Sequence, residues 1–153
     1  SLLHYDLIVL QFGLNVSNSP SRDFTGYMKG MGRLINKLKA AFPDTPILLL
    51  SVSDRSQRRQ GNFVTMPVIP VLIQAQEKIA YDNKLLFWNL FEAMGGENSM
   101  AAFANAKPAL ANKDYTHLNF AGGRVIGLSF ARSFIFEVEK YQKRRNSLAT
   151  ITK

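Results

Sequence analysis

Three near-continuous apolar runs, each followed by polar turn residues and then by a helical stripe, constrain this chain more than any other feature. Residues 5–12, 46–52 and 85–91 are such runs, and stretches of this length and composition fit strands buried on both faces of a parallel sheet. After the first, Phe24, Tyr27, Met28, Met31, Leu34, Ile35, Leu38 and Phe42 fall on one helical face, with Asp23 placed to cap it and Pro43 to stop it. After the second, Pro67 and Pro70 suit the first turn of a helix whose stripe runs through Val71, Leu72, Ala75 and Ile79. A short helical piece is expected over 99–103, and Ile126, Phe130, Phe134 and Val138 mark the inward face of a last helix. The alternation predicts an α/β fold, a parallel sheet with helices on both faces and right-handed crossovers. The polar stretch 53–61 is too long for a tight hairpin and reads as a loop, and 146–153 reads as a disordered tail.

Length and composition agree with that architecture. The 153 residues suit one domain, here 1–145, with 46% apolar and 20% charged residues, far from a disordered composition. The absence of cysteine excludes disulfides, thiolate zinc sites and a cysteine nucleophile. No apolar run approaches the roughly 20 residues of a membrane helix, so no membrane span is expected. The formal charge of +8 raises an anionic partner, with clusters at Arg55, Arg58 and Arg59 and at Lys140, Lys143, Arg144 and Arg145. Beyond Tyr141 no aromatic residue is interleaved with them, which argues against a nucleic-acid surface and for solvated charge.

In an open parallel sheet ligands bind beyond the carboxyl ends of the strands. Loops at Gly13 to Asn15, Ser53 to Arg55 and Glu92 to Gly96 follow the three runs, and the loop from Asp114 to Phe120 precedes the last helix. His117 is one of two histidines, and Asp114 lies three residues before it. A carboxylate and an imidazole so spaced can meet, the carboxylate fixing the ring's tautomer and stabilising its charged form, as a general base needs. The plainer alternatives are a surface histidine with a capping aspartate, and for Asn15 a turn residue. Asp54 reads as a turn residue and Trp88 as core. His4 has no chemical role in this reading, and Gly122 and Gly123 let the last helix start close to the Asp114 loop.

These residues together resemble the SGNH or GDSL-type esterases and lipases. The stretch Gly13-Leu14-Asn15 after an apolar strand is similar to that family's third block, and Asp114-Tyr115-Thr116-His117 is similar to its fifth, the Asp-x-x-His. The resemblance covers residues 5 to about 141 and implies a three-layer flavodoxin-like sheet, of which this chain supplies the last three strands and their helices. It implies that His117 and Asp114 are two triad members, and that Asn15, supported by Gly13, donates to the oxyanion. Ala93-Met94-Gly95-Gly96, Ser99-Met100 and Pro108 resemble bacterial carbohydrate or peptidoglycan O-acetylesterase-like members. An exported or periplasmic location follows from the resemblance alone.

The departures are specific. Val16 follows Asn15 where the family carries an acid, and the blocks that hold the Gly-Asp-Ser nucleophile and the oxyanion glycine are absent from the sequence. Ser17, Ser19, Ser51, Ser53 and Ser99 read as turn or capping hydroxyls, which leaves no nucleophile in this chain. Scattered carboxylates and two distant histidines make no metal site, and no cofactor is expected. The chain is therefore expected to be the C-terminal part of a longer, truncated or cleaved polypeptide and inactive alone, with its first strand open to an N-terminal segment or another copy. Three functions are in play: an ester hydrolase acting on an acylated glycan, an inactive carbohydrate-binding or scaffold relative, and a basic module for anionic polymer.

Overall fold

The computed structural model describes residues 4–18 and 22–151, with side chains through residue 147. Ser19, read above as a turn hydroxyl, lies outside the described residues. Strand β1 (Ile8–Gln11), a 3-10 turn (Leu14–Asn18), α1 (Thr25–Ala41) and β2 (Ile47–Leu50) come first. Then follow β3 (Ser56–Arg59), β4 (Asn62–Thr65), α2 (Val68–Asp82), β5 (Leu86–Trp88), α3 (Leu90–Ala93), α4 (Ser99–Asn105) and α5 (Phe120–Ile151).

The main sheet has the order β1-β2-β5 and is parallel throughout. Its register places Leu10, Leu49 and Phe87 in one row and Val9, Leu48 and Leu86 in the next, so the rows face opposite sides. The first row packs with Met31 and Ile35 of α1 and Ile79 and Ala80 of α2 in one apolar cluster. On the other side α5 lies over β2 and β5, with Trp88 meeting Phe130 edge-on at 5.2 Å between ring centroids. A largely apolar groove of about 370 Å³ remains there, lined by Leu48, Leu86, Trp88, Phe134 and Val138 among others. The fold is thus a mixed α/β arrangement with helices on both faces of a three-stranded parallel sheet.

Four details differ from the sequence-based expectation. The first strand is not buried on both faces: Val9 is 47% exposed, because no described segment covers that end of the sheet. The segment expected as a loop forms an antiparallel hairpin, β3 with β4, turning on Gln60 and Gly61. Both turn residues have positive φ, 49° and 84°, the geometry that matches the strands' right-handed twist. The third run stops as a strand at Trp88, because the Asn89 side chain accepts the Glu92 amide and caps α3. Finally, α5 continues through Ile151, so residues 146–151, expected as a disordered tail, are helical. No Pro or Gly interrupts them.

Candidate functional site

The Asp114 loop is tied down at both ends before its side chains are considered. Asn112 N donates to His117 O at 2.8 Å, and Ala111 bridges Leu118. Asn119 caps α5, its Oδ1 accepting from Gly122 N at 3.0 Å while its Nδ2 donates to Ala109 O at 2.8 Å. Gly122 has no room for a side chain: a Cβ there would lie 1.9 Å from Leu110 O. Helix α5 therefore starts in backbone contact with the segment leading into the loop, as expected of Gly122, whereas a Cβ at Gly123 would meet open space.

On this frame Asp114 Oδ2 and His117 Nδ1 meet at 2.8 Å. The other carboxylate oxygen accepts from the amides of Thr116 at 2.9 Å and His117 at 3.0 Å. These bonds hold the Asp114 pKa down to about 2, the His117 side chain contributing most and desolvation opposing. An ionised Asp114 accepts only, so the neutral ring carries its proton on Nδ1 and leaves Nε2 free to take one. The side chains are 67% exposed for His117 and 47% for Asp114, so hydrogen bonds rather than burial fix the geometry.

Asn15 sits on the 3-10 turn after β1 with an exposed side chain. It lines a cavity of about 250 Å³ with Phe12, Gly13, Val52 and Ser53, at the carboxyl ends of β1 and β2. Gly13 has φ +117°, and a Cβ there would come within 2.8 Å of Tyr27 Oη and 3.0 Å of Gln76 Nε2. Glycine is thus required twice, for conformation and for space. Among the described residues no hydrogen bond joins Asn15 to the acid–base pair.

Two buried polar residues beneath the rim escaped the sequence reading. Gln76, on α2, donates to Phe12 O at 2.7 Å and Tyr27 Oη at 3.0 Å, and accepts from Val52 N at 2.9 Å. It thereby ties the ends of β1 and β2 together. The signal was present, since Gln76 lies four residues after Leu72 and three before Ile79 on the apolar face. Asp54, read as a turn residue, is fully buried. Its oxygens accept from Arg55 N and Met100 N, each at 2.8 Å. Burial pushes its pKa up, against the pull of those hydrogen bonds.

The segment after Asp54 reaches both loops. Arg55 Nη1 donates to Ser17 Oγ at 2.9 Å, and Ser56 N donates to Tyr115 O at 3.0 Å. Hence the turn that carries Asn15 and the loop that carries Asp114 both touch the segment entering β3. Ser17 and Ser51 are buried and hydrogen-bonded within the fold, Ser53 and Ser99 are buried, and no described serine bonds to His117. Among the described residues no three His, Asp or Glu side chains cluster as metal ligands, and no helix is long and apolar enough to cross a membrane.

No protein-family model matches the sequence, and no curated protein matches it. Solved structures do resemble it. A peptidoglycan O-acetylesterase superposes with a TM-score of 0.80 at 22% identity, over 88% of this chain and 38% of that one. A GDSL-like lipase from Parabacteroides merdae gives 0.62 at 14% identity, covering 83% of this chain and 59% of its own. An acetylxylan esterase from Geobacillus stearothermophilus, solved as a catalytic mutant, gives 0.56 at 18% identity over 83% and 58%. The chain therefore spans less than two thirds of each of these proteins and, over that part, has the fold of SGNH/GDSL-type esterases.

Proposed function

We propose that this chain forms part of an ester hydrolase that removes acyl groups from a glycan. In this reading His117 is the general base, Asp114 its orienting acid, and Asn15 a donor to the oxyanion. The observation that carries the reading is the 2.8 Å contact between Asp114 and His117, held on a loop at the ligand-binding edge of an esterase-type fold. The glycan rests on the neighbours that act on peptidoglycan and acetylxylan.

The nucleophile in this reading is a serine hydroxyl on further polypeptide that pairs along the free side of β1. Support comes from β1, which among the described residues pairs only with β2, and from Val9 on it and Phe12 just after it, both about half exposed. The serine oxygen attacks the ester carbonyl as its proton passes to His117 Nε2. Asp114 stabilises the resulting imidazolium, and the Asn15 amide donates to the oxyanion of the tetrahedral intermediate. His117 then protonates the departing sugar oxygen, leaving an acyl-enzyme. It next takes a proton from the water that attacks the acyl carbonyl and passes it to the departing serine oxygen, which frees the acid and restores the hydroxyl.

The test is hydrolysis of p-nitrophenyl acetate by the polypeptide that includes this chain and the strand completing β1. His117→Ala is expected to lower kcat by about 10³-fold or more. Asn15→Ala should lower kcat by about 10²- to 10³-fold with KM little changed, because its donor acts in the transition state. Full activity in His117→Ala overturns the reading. Wild-type protein that binds acetylated glycan without hydrolysing it favours the inactive relative instead.

A further inference from the structure

Among the described residues the β3–β4 hairpin makes one aromatic contact with the rest of the chain, and it falls on the acid–base loop. Phe63, on β4, stacks on Tyr115 with ring centroids 3.6 Å apart and planes 8° from parallel. From β3, the Ser56 amide donates to the Tyr115 carbonyl at 3.0 Å. Tyr115 is thus held by its ring and its backbone from the same hairpin. It is also the strained residue of the loop, with φ +54° at a non-glycine position between Asp114 and His117.

The strain and the contact belong together. A bulky residue persists at positive φ only where its surroundings over-determine it. Relaxing Tyr115 to negative φ would swing Asp114 relative to His117 and break a side-chain bond that burial does not protect. The hairpin is itself anchored away from the loop. Thr65 and Asn98 exchange two hydrogen bonds, 3.0 Å from Thr65 N to Asn98 Oδ1 and 2.7 Å from Asn98 N to Thr65 Oγ1. Met66 N closes its base on Arg55 O at 2.8 Å. The two stacked rings cover apolar surface on each other, so the contact can oppose the strain.

We propose that the β3–β4 hairpin is a positioning device for the acid–base pair and that Phe63 is its positioning residue, acting through Tyr115. Its bearing on catalysis rests on the ester-hydrolase reading; the positioning does not. The positioning is measurable in this chain as the tautomer of neutral His117, read from imidazole ¹⁵N shifts in alkaline buffer, with His4→Gln removing the second histidine. Wild type is expected to hold the Nδ1–H form that Asp114 requires. Phe63→Ala should lower the ratio of Nδ1–H to Nε2–H by about fivefold or more, the value of one lost hydrogen bond. Phe63→Tyr, which keeps the stack, should restore it.

An unchanged ratio in folded Phe63→Ala overturns the proposal. Should that variant unfold, Phe63→Leu keeps the apolar contact without the parallel rings, and an unchanged ratio there overturns it equally. Arg55→Met, which cuts the separate tie to Ser17, should leave the ratio in place. A fall as large as that of Phe63→Ala would remove the role from Phe63. No hydrolysis enters the measurement, so its failure and the failure of the esterase reading are distinct results.

Discussion

Asp54 and Asp114 each accept two backbone amides, yet their pKa values move in opposite directions. Asp54 is fully buried in the segment between β2 and β3, and desolvation outweighs its hydrogen bonds and raises its pKa. Asp114 is half exposed, and the His117 ring and two amides lower its pKa to about 2. Hydrogen-bond count therefore does not assign a carboxylate its task; solvent access does. Asp54 is a structural tie between the segment after β2 and α4. Asp114 stays charged in water, where a neighbouring imidazole can use it.

The contrast is open to mutation. Asp54→Ala leaves the Arg55 and Met100 amides without their acceptor and should cost about 2–4 kcal/mol of stability, measured by urea denaturation. Asp54→Asn keeps one acceptor oxygen and should cost about 1–3 kcal/mol in the same measurement. Asp114→Asn should change stability at neutral pH by less than about 1 kcal/mol, as exposed pairs do. Equal losses for Asp54→Ala and Asp114→Asn would erase the distinction.

Acid sharpens it further. The folded pKa of Asp114 lies below the ordinary 3.8, so its stabilisation is complete above about pH 4 and lost as pH falls toward 2. The pKa of Asp54 lies above 3.8, so its ionisation opposes folding as pH rises past that value. A stability series should therefore lose its rise between about pH 2 and 4 in Asp114→Asn and keep it in Asp54→Asn.

What the sequence disclosed follows the range of the interactions. Strand positions were legible because β1, β2 and β5 are short apolar runs between turn residues. Asp114 and His117 were legible because they meet three residues apart. Asp54 binds an amide 46 residues away and Gln76 a carbonyl 64 residues away, and nothing local announces either partner. The hairpin escaped because its strands pair only with each other, so neither carries the alternation of a half-buried sheet; Gly61 was its one local cue. Val9 escaped for another reason: an apolar side chain records its preference for burial, not whether anything covers it.

Gly13, Tyr27 and Gln76 carry one more consequence. The Tyr27 hydroxyl and Gln76 amide bond to each other and both donate to Phe12 O, and together they fill the space where a Gly13 side chain would stand. None of the three can drift alone. A side chain at Gly13 needs both neighbours to shorten, and a shorter residue at position 76 releases the Val52 amide. The three positions should vary as one unit or not at all, since the floor beneath Asn15 is a lock with three tumblers.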